Sequence, residues 1–154
     1  MFNKGENFRR SRDGIRLFDA VDFAAMHKAG AVASKILDDI CEHVQPGQAT
    51  GELDKFIEEQ IKLSGATSAT IGYRGYQHAS CISINHVVCH GIPSEKRLKD
   101  GDILNIDVTV IVDGWYGDTS RMYVAGKPSR KAERLIEVTH DSLMLGIEAI
   151  KPGN

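Results

Sequence analysis

The sequence predicts an α+β fold: two helices, then a set of antiparallel strands, then a third helix. Three observations predict it. From Asp19 to Ile61 apolar residues recur at steps of three and four, the period of a helix. From Cys81 to Val124 the chain changes to short Ile- and Val-rich runs separated by turn signals. Past the breakers Gly126 and Pro128, a last helix is expected over about Ser129 to Ile150.

Asp19 is placed to cap the first helix, with Asp22 in the first turn near the positive end of the dipole. Phe23, Met26, Ala33, Leu37, Ile40 and Val44 form one stripe, and Gly30 falls on the same face. A glycine inside a helix costs about 1 kcal/mol against alanine, and in exchange it can allow close packing. Pro46-Gly47 stops this helix. Thr50 can cap a second one carrying Leu53, Phe56, Ile57 and Ile61, which Gly65 can end in a left-handed conformation. Two hairpins follow. In the first, Cys81–Ile84 and Val87–His90 flank the turn Asn85-His86. In the second, Ile103–Val112 and Trp115–Val124 flank Asp113-Gly114, a strong two-residue signal. Val44-Gln45-Pro46-Gly47 and Ile150-Lys151-Pro152-Gly153 both close amphipathic helices. The likeness reads either as common helix-stop chemistry or as the start of a second structural unit.

The 154 residues suit one domain. Nineteen basic residues against twenty-one acidic ones leave a formal charge of −2, which gives no global attraction to nucleic acid or an anionic membrane. No apolar run approaches the roughly 20 residues that span a bilayer. Residues 1–14 lack the apolar centre of a signal peptide, and Glu6 and Asp13 are foreign to a transit peptide. They are expected to form a polar, flexible arm on a cytoplasmic protein. Cys41, Cys81 and Cys89 are odd in number and lack CxxC spacing, so neither a disulfide framework nor a zinc knuckle is expected.

The second hairpin places two carboxylates together. With Asp113 and Gly114 as the loop, Val112 faces Trp115, Thr109 faces Asp118, and Asp107 faces Ser120. Asp107 and Asp118 then share a sheet face as diagonal neighbours, with β-carbons about 7 Å apart. Such a pair can hold one metal ion, or two ions about 3.5–4 Å apart; it can also stand solvated on an open sheet face. Aspartate is depleted in strands, and one among apolar neighbours wants a metal or another partner. A one-residue slip would put the two on opposite faces. The same arithmetic sets Cys81 opposite His90 in the first hairpin, where a lone histidine is either structural or functional. Tyr73 and Tyr76, in Gly72-Tyr73-Arg74-Gly75-Tyr76, read either as loop packing or as an aromatic wall for an apolar side chain. Cys81 would then be a soft neighbour for a thioether.

The stretch GYRGYQHASCISINHVVCHGIP, followed by KDGDILNIDVTVIVDGWYGDTSRMYVAG and preceded by PGQATGELD, is similar to type I methionine aminopeptidases, over about residues 15 to 154. The resemblance implies the pita-bread fold, two pseudo-symmetric αβ halves around a central site. Residues 15–154 would supply the first pseudo-repeat and the first helix of the second. It implies that Asp107 and Asp118 are two of five ligands to two divalent metal ions, which could be cobalt, manganese, iron or zinc. His90 matches a catalytic histidine that contacts substrate, while Tyr73, Tyr76 and Cys81 match the lining of the methionine pocket. Thr70 stands near a pocket position that is cysteine in some relatives. The remaining ligands, one histidine and two glutamates, have no matching position. The implied activity is removal of the initiator methionine when the second residue is small, with this chain incomplete and inactive alone. Nascent polypeptide N-termini would be the partners, at a ribosome-proximal place. No specific nucleic acid and no membrane are implied, and the full-length protein would be a monomer. The alternatives are a non-catalytic binding module of the same fold, a truncated gene product, or a proline-specific relative.

Overall fold

Strict alternation along one strand organises the molecule, whose residues 9–154 are described by a computed structural model. The elements run in the order α1 (Ala20–Asp39), α2 (Thr50–Leu63), β1 (Thr67–Ser68), β2 (Ser80–Ile84), β3 (Ile103–Val112), β4 (Trp115–Val124) and α3 (Arg130–Glu148). β3 is the centre of the sheet. β4 pairs with it antiparallel along its whole length, while β2 and β1 pair end to end along its other edge, at Leu104–Val108 and Val110–Ile111. Leu104, Ile106, Val108 and Val110 are all completely buried. Successive side chains of a strand point to opposite faces, so Asn105, Asp107, Thr109 and Ile111 stand on the other side.

The apolar face of the sheet is covered by α1, which packs on β4 and β3, and by α2, which packs on β2 and β1. Ala33, Ile36 and Leu37 from α1 meet Leu53, Ile57 and Ile61 from α2 in one core. Each fully buried aliphatic side chain of this kind contributes about 1.5–3 kcal/mol by removal from water. The Tyr123 hydroxyl donates to the Leu37 carbonyl and ties β4 to the end of α1.

Asp19 caps α1 as expected: its carboxylate accepts from Val21 N and Asp22 N, and Asp22 reaches back to Asp19 N. The buried stripe begins only at Ala29, however. Phe23 and Met26 are 62% and 56% exposed, because the first two turns of α1 carry no buried residue. Thr50 is the first residue of α2 and does not cap it. Its hydroxyl is held between Ser94 O and Ser94 N, 3.1 and 2.9 Å away, and the Glu52 carboxylate accepts from Ala49 N in its place. Gly65 does take the left-handed conformation, at φ 71°. Of the arm expected over residues 1–14, residues 1–8 lie outside the described residues. Residues 9–14 enter a tight turn closed by Leu17 N donating to Arg9 O at 2.8 Å. Ser129 caps α3 by accepting from Ala132 N. Among the described residues no helix is long and apolar enough to cross a membrane.

The close approach expected at Gly30 is made possible by a glycine on the opposite side of the contact. A β-carbon on Gly117 of β4 would lie 2.2 Å from Ala29 O and 2.8 Å from Gly30 N, whereas one on Gly30 would meet nothing within 4 Å. Gly117→Ala forces α1 away from the sheet and is expected to cost about 3 kcal/mol, the upper end for overpacking. Gly30→Ala is expected to be neutral or to stabilise by up to about 1 kcal/mol, through helix propensity. Urea unfolding of the two variants checks this, and equal effects would remove Gly117 as the contact point.

Candidate metal centre and its cleft

The face of the sheet turned away from α1 and α2 carries the acidic pair. Val112 pairs with Trp115, Thr109 with Asp118, and Asp107 with Ser120, the register expected from the sequence. It is set by Asp113 and Gly114, at φ 51° and 83°. Both values are left-handed, as a type I′ turn requires. Asp107 and Asp118 therefore stand as diagonal neighbours on one face. Cys81 of β2 pairs directly with Asp107, so Cys81, Asp107 and Ser120 form one row across three strands.

The other expected residues reach the same place by different routes. Val87–His90 does not form the return strand of a hairpin, and Cys81 lies opposite Asp107, not opposite His90. The Asn85-His86 turn exists, but the Asn85 side chain ties it to the start of β3, donating to Asp102 Oδ1 and accepting from Ile103 N. The segment after it makes two backbone bonds to β2, Val87 N donating to Ile84 O at 3.1 Å across the turn and Ile82 N donating to Gly91 O at 2.8 Å. Val88 is 93% exposed, so the apolar run that suggested a strand gains nothing from pairing there. His90 projects from this loop with φ 54°. Tyr73 and Tyr76 bracket a short 3₁₀ turn before β2. Tyr73, Tyr76, Cys81, His90, Asp107 and Asp118 all line one open cleft of about 700 Å³.

Thr70, Arg74, Thr109 and Tyr116 line it too. Thr70 was expected near the pocket, whereas Arg74, Thr109 and Tyr116 were not singled out in the sequence. Thr109 and Tyr116 could have been found from the pleat alone, being two residues from Asp107 and Asp118 respectively. Thr109 Oγ1 donates to Asp118 Oδ1 at 2.8 Å and orients that carboxylate. Asp107 has no such donor among the described residues. Burial pushes its carboxyl up, the nearby Asp118 charge pushes it further, and His90 pulls it part of the way back. Burial likewise raises the Cys81 thiol, against a lowering hydrogen bond with Tyr76.

Two like charges brought together on a half-covered surface are what a divalent cation relieves. The hard carboxylate oxygens of Asp107 and Asp118 suit such an ion. They supply part of a coordination shell, since no group of three or more histidine, cysteine, aspartate or glutamate side chains converges for a metal among the described residues. The residues present therefore fit one side of a divalent-metal site.

The raised Asp107 carboxyl fixes the sign of a pH effect. A carboxyl that is harder to ionise in the folded state than in the unfolded state costs stability once it is charged. Without metal, Asp107→Asn is expected to raise Tm by a few degrees at pH 7. That gain disappears as the pH falls below the ordinary carboxylate range, where the wild-type side chain is neutral in both states. Adding Mn²⁺ is expected to raise the wild-type Tm, more so at higher pH because the ion competes with protons, and to leave Asp107→Asn nearly unmoved. Scanning calorimetry at two pH values reads both effects, and a lower Tm for Asp107→Asn at pH 7 would contradict the charge-strain account.

Comparison with known proteins agrees with the geometry. A methionine aminopeptidase of Rickettsia prowazekii (strain Madrid E) is 50% identical over 139 residues, covering 90% of this chain and 54% of that protein. One of Escherichia coli (strain K12) is 52% identical over 134 residues, covering 86% of this chain and 51% of its own length. The chain thus spans about half the length of these relatives. The crystal structure of methionine aminopeptidase from Rickettsia prowazekii superposes with a TM-score of 0.88 at 50% identity, covering 90% of this chain and 56% of that one. The sheet and helices described above are thus those of the pita-bread fold, as the resemblance implied. Residues 24–154 match the family described as Metallopeptidase family M24, whose members depend on divalent metal ions, and the chain belongs to that family.

Proposed function

We propose that the protein carrying this chain removes the N-terminal methionine from polypeptides whose second residue is small, at a centre of two divalent metal ions. The observation that carries the reading is the diagonal pair Asp107 and Asp118, open to the same cleft as Tyr73, Tyr76, Cys81 and His90. The names and identities of the relatives support it. Asp107 and Asp118 would hold the metal, and the choice among cobalt, manganese, iron and zinc lies with ligands beyond these two. Bound divalent ions supply Lewis acidity and make water a nucleophile near neutral pH.

The remaining work falls to the chain's own side chains. Tyr76 and Cys81 form a wall of low polarity, in which the Cys81 thiol donates to the Tyr76 hydroxyl at 3.6 Å. A thioether side chain gains from burial against such a surface. Tyr73, 64% exposed, lines the same cleft. His90 donates a hydrogen bond to the scissile peptide as negative charge develops on its oxygen. Two carboxylates bind a divalent ion weakly, so the 154-residue chain acting alone does not hydrolyse peptides. The reading includes nascent N-termini as substrates, action in the cytoplasm close to ribosomes, and a monomeric full-length protein. It includes no specific contact with nucleic acid or membrane, which the net charge of −2 supports. A second reading, a binding module without catalysis, applies to the 154-residue chain taken by itself, whose described residues bring no third ligand to Asp107 and Asp118; the presence of Asp107, Asp118 and His90 argues against it for the whole protein.

Release of methionine from a Met-Ala-Ser peptide, assayed with the protein purified from its source cells and supplied with Mn²⁺, separates the two readings. Methionine release is expected, and Asp107→Ala is expected to lower kcat/KM by at least about a hundredfold, the upper range for disturbing a metal site. Full activity in Asp107→Ala would end the ligand assignment, and no release by a folded, metal-loaded protein would leave the binding module.

A further inference from the structure

Asp54 is a charged residue on the apolar side of α2, in line with the buried Thr50, Ile57 and Ile61. It is 5% exposed. Its Oδ1 accepts from Ala79 N at 3.0 Å, from Ser80 N at 2.9 Å and from Ser80 Oγ at 2.7 Å, and its Oδ2 pairs with His78 Nδ1 at 2.9 Å. A buried carboxylate is tolerated where its oxygens are filled in this way. All four partners belong to three consecutive residues at the entrance to β2. No basic residue of α2 or of the sheet reaches it, so the carboxylate binds the segment and forms no lysine or arginine ion pair among the described residues.

The other side of the same segment holds the cleft. Thr70 Oγ1 donates to His78 O at 2.7 Å, and the Tyr76 hydroxyl donates to Ser80 O at 2.8 Å. The Tyr76 ring meets the His78 ring edge-on at 5.5 Å between centroids. Cys81 follows Ser80 directly and reaches the Tyr76 oxygen. The N–H groups of residues 79 and 80 thus point into α2 and end on Asp54, while the carbonyls of residues 78 and 80 receive Thr70 and Tyr76. Three lining residues, Thr70, Tyr76 and Cys81, hang on a strip of backbone that one carboxylate fixes.

We infer that Asp54 is a positioning residue for the apolar wall: by anchoring His78–Ser80 to α2 it sets where Thr70, Tyr76 and Cys81 stand, and through them how tightly the cleft holds an unbranched apolar side chain. The inference deepens the reading of the cleft as a side-chain pocket and rests on it. Asp54 touches neither the acidic pair nor a substrate. Its loss acts on binding of the side chain and leaves the chemistry at Asp107 and Asp118 in place.

The test is the rate of alkylation of Cys81 by N-ethylmaleimide in the protein as its source cells make it, followed by mass spectrometry of the peptide that contains Cys81. Asp54→Ala is expected to raise that rate about tenfold, the factor matching loss of a buried hydrogen-bonded anchor. Leu53→Ala, a neighbouring core truncation on the same helix, is expected to leave the rate near the parent's while lowering Tm. Asp54→Asn keeps an oxygen facing Ala79 N and Ser80 N and is expected to restore the slow rate. A folded Asp54→Ala protein that alkylates at the parental rate overturns the inference, as does equal acceleration by Leu53→Ala. If Asp54→Ala does not fold, Ser80→Ala takes its place, with a faster Cys81 supporting the anchor and a parental rate overturning it. In the peptide assay, Asp54→Ala and Ser80→Ala are expected to raise KM more than they lower kcat, with Asp54→Asn near the parent in both, and the opposite split overturns the positioning role. Alkylation needs neither metal nor peptide. A protein that fails to release methionine but shows the alkylation pattern loses the aminopeptidase reading and keeps the anchor; one that releases methionine without the pattern does the reverse.

Discussion

The left-handed turn at Asp113-Gly114 sets the register of β3 against β4, and that register decides which face each acidic side chain of the sheet occupies. Shifted by one residue relative to the core, Asp107 would exchange faces with Ile106 and Val108, both fully buried under the helices. A carboxylate there would be without solvent or partner, and the apolar pair would lie in the open. The turn geometry and the burial of four aliphatic residues on β3 therefore demand the same register. Their agreement holds two repelling carboxylates side by side. The exposed Lys28–Asp113 ion pair at the turn adds little, as surface pairs generally do.

The cleft is assembled from parts of different rigidity. Asp107, Asp118 and Cys81 stand on paired strands, where a side chain inherits the precision of the hydrogen-bonded ladder. Arg74 and His90 come from loops, and both have positive φ, at 49° and 54°. Non-glycine residues take that conformation at a cost that surrounding structure must offset, and such residues gather where a side chain has to be aimed. For His90 the offset is visible on both sides of Gly91, whose O accepts from Ile82 N and whose N donates to Ser83 Oγ. A β-carbon at Gly91 would lie 2.2 Å from Ile82 O, so the loop can lie this close to β2 only with glycine at that position.

What the sequence disclosed divides along the same line. The β3–β4 hairpin was legible because a two-residue Asp-Gly loop leaves one register and alternation confirms it. The acidic pair followed from counting. The return strand after Asn85 was misread because Val87, Val88 and Cys89 imitate a strand, and nothing local reveals that the Asn85 side chain binds the start of β3, eighteen residues on. Thr50 looked like a cap for a similar reason, since its real partner is Ser94, forty-four residues away. β1, only Thr67–Ser68, is too short to leave a pattern. Asp54 was open to discovery as an acid on the apolar stripe of α2, but the three residues it binds are set by the fold. Local chemistry foretold the elements whose bonds are local, and long-range side-chain bonds decided the rest.

α3 has a consequence for how the molecule moves. It is a 19-residue helix with a good cap and no buried residue, and Leu135, Val138, Leu143, Leu145 and Ile147 are all at least 50% exposed. An open cavity of about 690 Å³ lies between it and the far side of the sheet, bordered by Asn105, Ser120 and Met122 on one side and Ile136, His140 and Leu143 on the other. Most helical stability in proteins comes from packing of an apolar face, and among the described residues α3 draws little from that source. In the 154-residue chain taken by itself, the hydrogen bonds of α3 are expected to open and close at a free energy well below that of global unfolding. Backbone amides of α3 would exchange with solvent deuterium long before those of β3, and the sheet with its acidic face would stay folded while they did so.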